Sequence, residues 1–171
     1  MKLSVIIITF NEEQMIGDCI KSIGKWADEI LVIDSESVDK TVEIAQKMGA
    51  KVLINKFRNF ASQRNFALQK ATGEWILYVD ADERMTPELV DEIKKRFWTS
   101  QNDEREYAGF YIKRKNFYFG NHEWPKIEKL ERLFKKEKLE GWYGKVHESP
   151  KVLGEMGELN GFLLHYTHRD L

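Results

Sequence analysis

Asp80-Ala81-Asp82 follows directly on the apolar run Trp75-Ile76-Leu77-Tyr78-Val79, which has the length of a buried strand and is too short for a useful helix. Two carboxylates one residue apart at the mouth of a strand can present hard oxygens to Mg2+ or Mn2+. A cation held by one or two carboxylates keeps coordination positions open for substrate phosphates. The pattern therefore points to nucleotide-diphosphate chemistry, and its ordinary alternative is a solvated turn. The other strand ends decide between the two.

Those ends belong to a regular alternation of strands and helices over the first half of the chain, which predicts an α/β fold: a Rossmann-like, mostly parallel sheet with helices on both faces. Residues 3–9 read as the first strand. Asn11, with Gln14 three residues on, forms a capping box for a helix whose inner face is Ile16, Cys19, Ile20 and Ile23, stopped at Gly24. Residues 29–33 form a second strand ending at Asp34, and Ser35 or Ser37 caps a helix with Thr41, Ile44, Ala45 and Met48 inward and Gly49 at its end. Residues 51–54 give a third strand, and a helix over about 60–71 precedes the strand that delivers Asp80. Thr86-Pro87-Glu88 starts a further helix that buries Leu89, Val90, Ile93 and Phe97.

Beyond residue 99 the chain turns polar, then aromatic and basic, and its periodicity weakens. Residues 109–114 and 117–120 read as strands, as in a hairpin, with another near 132–135. One domain with two halves is expected, 1–99 for a nucleotide and 100–171 as a smaller mixed lobe.

Composition sets bounds on function. The 171 residues carry 27 Lys and Arg against 28 Asp and Glu, so no overall basic field advertises a nucleic-acid binder. Local positive charge lies in Lys113-Arg114-Lys115 and over 126–138, a solvated face by default and a peripheral membrane contact in the sharper reading. The lone Cys19 excludes an internal disulfide framework and fits a reducing compartment, so a cytoplasmic site is expected. No run reaches the roughly 18 to 20 apolar residues of a membrane span.

In open parallel sheets ligands bind beyond the carboxyl ends of the strands. Collected there are Thr9, Asn11 and Glu12, then Asp34 and Ser35, then Asp80 and Asp82. No glycine-rich phosphate fingerprint follows the first strand, and no Gly-Lys-Ser/Thr occurs anywhere, so a bound nucleotide must be held by side chains and a metal.

With these motifs in place the chain resembles the inverting family 2 glycosyltransferases. The likeness rests on residues 4–12, Ile33-Asp34-Ser35-Glu36-Ser37, Gln63-Arg64-Asn65 and residues 78–83. The second half is similar, more loosely, to the lipopolysaccharide-core glucosyltransferases through residues 142–148 and Leu164-His165-Tyr166. The resemblance implies a glycosyltransferase A-type fold and a sugar moved from a nucleotide-diphosphate donor, UDP foremost, to a hydroxyl of a cell-envelope glycan or glycolipid at the inner face of the membrane. Thr9, Asn11 and Glu12 would line the nucleotide pocket, and Asp34 would accept a hydrogen bond from the base. Arg64 would lie near the base or diphosphate, and Asp80 near the ribose and the Mn2+ or Mg2+ ion. Asp82 would ligate that ion, with His165 as a further ligand and His168 competing for the place. Glu148 would be the base that takes the acceptor proton, with His147 beside it. Some relatives carry a glutamine, which helps the metal, where this chain has Arg84, and Arg84 is expected to turn outward toward Glu83 or Glu88. The relatives also continue past Arg169-Asp170-Leu171, so a truncated or minimal catalytic domain is expected.

Plainer readings stand beside these. Asp34 and Asn11 suit helix caps, Arg64 suits a solvated helix face, and each histidine suits an ordinary hydrogen-bonded role. Trp124, Trp142, Tyr143, Phe117 and Tyr118 suit either a sugar-stacking platform or a core. Two other functions compete: a silent nucleotide- or glycan-binding module, and a sugar nucleotidyltransferase. The latter should carry a glycine-rich basic loop where this chain has residues 9–14.

Overall fold

The computed structural model describes residues 1–98 and 106–167; His168 and the chain end Arg169-Asp170-Leu171 lie outside them. Four parallel strands form one half of a single sheet: β1 (Leu3–Thr9), β2 (Glu29–Asp34), β3 (Lys51–Ile54) and β4 (Trp75–Tyr78). Between them run α1 (Ile16–Ile23), α2 (Thr41–Lys47) and α3 (Phe60–Lys70). The chain then adds β5 (Glu83–Met85), α4 (Pro87–Trp98), β6 (Gly109–Tyr118), β7 (His122–Glu123) and β8 (Glu128–Lys135). A 3-10 turn leads into β9 (Leu139–Tyr143), β10 (Ser149–Val152) and β11 (Met156–Tyr166).

The sheet order is β3-β2-β1-β4-β8-β6-β11-β5, with β7 paired to β6. The second half of the chain therefore extends the first half's sheet, and β8 lies antiparallel against β4. β9 and β10 form a separate antiparallel ribbon.

Alternation along the strands sends side chains to two cores. Val5, Ile7, Val32, Leu77 and Val79 pack with Ile16, Cys19, Ile20 and Ile23 of α1 and Leu89 and Ile93 of α4. Ile6, Leu31, Ile33, Ile76 and Tyr78 face the other way, onto Ala61 and Ala67 of α3 and onto Leu139 and Trp142 of β9. Each fully buried isoleucine or leucine contributes roughly 1.5–3 kcal/mol, so these two layers hold the strand ends in place. α4 sits close on β11 because Gly161 has no side chain: a Cβ there would lie 2.5 Å from the Leu89 Cα.

Three expectations are corrected. α1 starts at Ile16 with Met15 at its cap and no side-chain cap bond, so Asn11 and Gln14 form no capping box. Asn11, at φ 50, instead joins two loops, its Oδ1 accepting from Val38 N and its N donating to Ser37 Oγ. Neither Ser35 nor Ser37 caps α2, which follows Lys40; the carboxylate of Asp39 accepts from Thr41 N. Residues 109–118 are one continuous strand and not two, because Arg114 pairs with the buried Glu83 and Asn116 with the part-buried Glu128 and His165, which carries the polar stretch through the sheet.

Candidate active site

Six of the candidate residues, drawn from different segments, line one cavity of about 820 Å3: Thr9, Glu12, Arg64, Asp80, Asp82 and Glu148. Ser35, Glu36, Lys56 and the half-exposed rings of Phe10, Phe57 and Phe60 complete much of its wall. Thr9 is buried, and among the described residues its Oγ1 has no hydrogen-bond partner. A buried hydroxyl without a partner carries a desolvation cost that a ligand atom would relieve.

The segment Gln63-Arg64-Asn65 explains how distant loops reach one rim. Gln63 is fully buried and donates to Ser35 Oγ and Asn55 O, both at 2.9 Å, pinning the ends of β2 and β3. Asn65 clamps the backbone of Trp142, accepting from its N at 2.7 Å and donating to its O at 2.9 Å. Arg64 donates Nε–H to Glu148 at 3.3 Å and Nη2–H to Asp80 at 3.4 Å, and its guanidinium lies 4.9 Å from the Trp142 ring centroid. Far from a solvated face, Arg64 is 6% exposed. It orients Glu148, while His147 is exposed.

Asp34 is placed differently. It is fully buried, and its carboxylate accepts from Ser37 N at 2.8 Å and Ser37 Oγ at 2.5 Å. It is absent from the cavity wall, where the following Ser35 and Glu36 stand. Asn11 likewise is exposed and outside that wall.

A charge network that sequence reasoning missed lies beneath Asp80. Glu83 is fully buried and takes hydrogen bonds from Arg132 at 2.8 and 3.0 Å and from Arg114 at 2.9 Å. Arg132 also donates to Asp80 Oδ2 at 3.3 Å. Burial by itself would raise the Asp80 pKa, but Arg132, and then Arg64, hold its carboxyl well below the usual carboxylate range. Burial would likewise lower the Arg132 pKa, and the carboxylates of Glu83 and Asp80 outweigh it. One signal was present in the sequence, Glu83 directly after the aspartate pair; Arg132 gave none, because its strand, Glu128–Lys135, carries four other charged residues.

Asp82 and His165 face each other, Oδ2 to Nε2, at 2.9 Å. The other ring nitrogen, Nδ1, meets Asn116 Oδ1 at 2.9 Å, and Asn116 Nδ2 donates to Glu128 at 2.8 Å. Because the Asn116 amide is oriented by Glu128, its oxygen faces the ring and Nδ1 must be the donor. Neutral His165 then turns an Nε2 lone pair toward a carboxylate. A proton or a cation between them removes that repulsion. Burial would lower the His165 pKa, and the bond to Asp82 outweighs it, so the pKa is raised.

This donor set fits a divalent cation. Asp82 offers a hard oxygen and His165 an oriented imidazole nitrogen of the kind Mn2+ accepts more readily than Mg2+; Asp82 lines the cavity, whereas His165 stands outside its wall and reaches it only through Asp82. Asp80 is nearby but its two oxygens face Arg64 and Arg132. Among the described residues no group of three His, Cys, Asp or Glu side chains is arranged around a single point. Arg84 stays clear: it donates to the carbonyls of Ala81 and Glu83 at 3.1 and 2.8 Å, and not to the carboxylates of Glu83 or Glu88 as expected.

The family model of glycosyl transferase family 2 matches residues 4–151. A lipopolysaccharide core biosynthesis glycosyltransferase, LpsC of Rhizobium meliloti, is 30% identical over 97% of this chain and 63% of its own length. Among solved structures, S. aureus TarS 1-349 in complex with UDP-GlcNAc superposes with a TM-score of 0.72 at 17% identity, covering 100% of this chain and 60% of that one. Glucosyl-3-phosphoglycerate synthase of Mycobacterium tuberculosis, in complex with Mn2+, UDP and glucosyl-3-phosphoglycerate, gives a TM-score of 0.50 at 25% identity over 70% of this chain and 44% of that one. The chain spans about 60% of the length of the first curated relatives it matches.

Proposed function

The chain belongs to glycosyl transferase family 2, and from that premise we propose that its cavity binds a UDP-sugar and passes the sugar, with inversion, to a hydroxyl of a cell-envelope glycan or glycolipid. The observation that carries this reading is the shared wall of Thr9, Glu12, Arg64, Asp80, Asp82 and Glu148. The Mycobacterium synthase, bound to UDP and Mn2+, supports the donor and the metal, and LpsC supports an envelope acceptor. No helix among the described residues is long and apolar enough to cross a membrane; the cytoplasmic face of a membrane is the proposed setting.

Residues 1–99 hold the donor in this account, and 100–171 complete the acceptor side with Glu148 and His165. The half-exposed Phe10, Phe57 and Phe60 give the nucleoside apolar faces. Arg64 and Lys56, both in the wall, supply fixed positive charge to the diphosphate. Asp82 and His165 would hold a divalent cation, which when bound would supply Lewis-acid stabilisation of the departing diphosphate. The acceptor oxygen attacks the anomeric carbon as the bond to the diphosphate oxygen breaks. The bonding pair leaves with the diphosphate, and the acceptor proton passes to Glu148, held in place by Arg64.

Incubation with UDP-sugars and Mn2+ tests the reading. The expected result is slow donor hydrolysis whose first-formed sugar, followed by NMR, has the anomeric configuration opposite to that of the donor. Binding of UDP without turnover of any donor would favour the silent binding module instead.

A further inference from the structure

The end of β6 carries an apolar surface that the transfer chemistry leaves unused. Beyond Asn116 the strand runs into a hairpin with β7 whose turn, Phe119 and Gly120, has φ 48 and 86. The loop between the paired residues Tyr118 and His122 is three residues long, and a positive φ is uncommon for a bulky residue other than glycine. A phenylalanine in the first position is held in the left-handed region with 71% of its surface exposed. Trp124 is 51% exposed and Ile127 48%, so three large apolar side chains stand in solvent within nine positions. The edge of Trp124 packs at 5.6 Å against Tyr118, which fixes the indole.

Charge accompanies them. Residues 113–129 hold five cations, Lys113, Arg114, Lys115, Lys126 and Lys129, against Glu123 and Glu128. Glu128 is taken up by Arg114 at 2.6 Å, Lys115 lies 3.8 Å from Glu123, and Lys113 and Lys129 lie 3.9 and 2.9 Å from Glu158, so of the five cations Lys126 alone makes no ion pair among the described residues. Aromatic rings with an excess of lysine at a protein edge match the boundary between headgroups and acyl chains of an anionic bilayer.

The hairpin is also rooted at the site. Trp124 N donates to Asn116 O at 2.8 Å, Thr167 N donates to Phe117 O at 3.1 Å, and the Phe117 ring stacks on Tyr166 at 5.2 Å. Asn116 and Tyr166 are the residues beside His165, so the tip is fixed relative to the Asp82–His165 pair.

We propose that the 117–127 hairpin docks on an anionic lipid bilayer, Phe119 and Trp124 entering the headgroup region, and that this contact presents a lipid-borne acceptor to the cavity. The role in presenting an acceptor rests on the transferase reading; the docking itself does not.

Flotation with phosphatidylcholine vesicles, with and without phosphatidylglycerol, tests it on the 171-residue chain. The expected result is binding that requires phosphatidylglycerol and weakens about tenfold or more in Phe119→Ser/Trp124→Ser. Lys115→Glu/Lys126→Glu should remove the preference for anionic lipid. Thermal unfolding of each variant, with and without UDP, reports whether fold and donor site persist. Wild-type protein that ignores both vesicle types would overturn the proposal, as would variants that fold and still float like wild type. So would a free oligosaccharide bound through Trp124 by a protein that does not float. Flotation without any UDP response would instead sink the transferase reading and leave the docking surface standing.

Discussion

Asn116 Oδ1 lies 2.9 Å from His165 Nδ1, and Asn116 is itself fixed by Glu128 at 2.8 Å. That contact sets which nitrogen of His165 faces Asp82. Outer partners of metal-binding histidines commonly change affinity 10–100-fold. Asn116→Leu should therefore weaken Mn2+ binding by about that factor in an electron paramagnetic resonance titration. The UDP-induced thermal shift without metal should persist.

Arg132 and Glu83 should show the asymmetry of buried ion pairs. Arg132→Met removes the cation that Glu83 and Asp80 share and leaves Glu83 with Arg114 and Asp80 with Arg64, and the expected loss is roughly 3–5 kcal/mol by chemical denaturation. Adding Glu83→Leu should restore part of it, because the fully buried carboxylate that lost two of its hydrogen bonds is gone while Arg114 keeps Glu128. A double variant less stable than Arg132→Met would contradict this picture.

Glu148→Gln keeps an acceptor for the Arg64 Nε–H and removes the proton-accepting charge. Turnover should fall about 10²–10⁴-fold, while the thermal shift given by UDP with Mn2+ stays close to that of wild type.

Glu29 provides a pH signature of folding. Burial would raise its pKa, but hydrogen bonds from Ser4 and Thr72, at 2.6 to 3.2 Å, outweigh it and hold the carboxyl below its ordinary value. A depressed folded-state pKa contributes stability that is whole above the unfolded value, near 4.3 for glutamate, and lost as pH falls through the folded value. Glu29→Gln should melt below wild type at pH 7, and the gap should close as the pH drops beneath about 4.

The parallel half of the fold was legible because its signals are local. Apolar runs end in acids at residues 34 and 80, Gly49 sits at φ 88 at the end of α2, and Thr86-Pro87 opens α4, with Thr86 Oγ1 accepting from Leu89 N. The second half was not, because its strands owe their polar residues to distant partners. Arg114 and Asn116 look like loop residues until Glu83 and Glu128 are placed beside them. The same holds in the site: Asp82, Glu148 and His165 could be picked by type and motif, whereas the burial of Arg64 between Asp80, Glu148 and Trp142 depends on three-dimensional neighbours. Asp34 shows the reverse, a strand-end acid whose carboxylate is engaged by Ser37 three residues on.

In the proposed reaction the cavity joins a nucleoside diphosphate to a divalent ion at Asp82. Thermal unfolding with UDP, GDP, CDP, ADP and dTDP, each with and without Mn2+, measures this directly. At about one hundred times the dissociation constant a ligand stabilises by about 2.7 kcal/mol. The largest shift is expected with UDP and Mn2+ together, and its metal-dependent part should be lost in Asp82→Ala. Equal, negligible shifts for all five nucleotides, or an Asp82→Ala protein that still responds to Mn2+ like wild type, would contradict it.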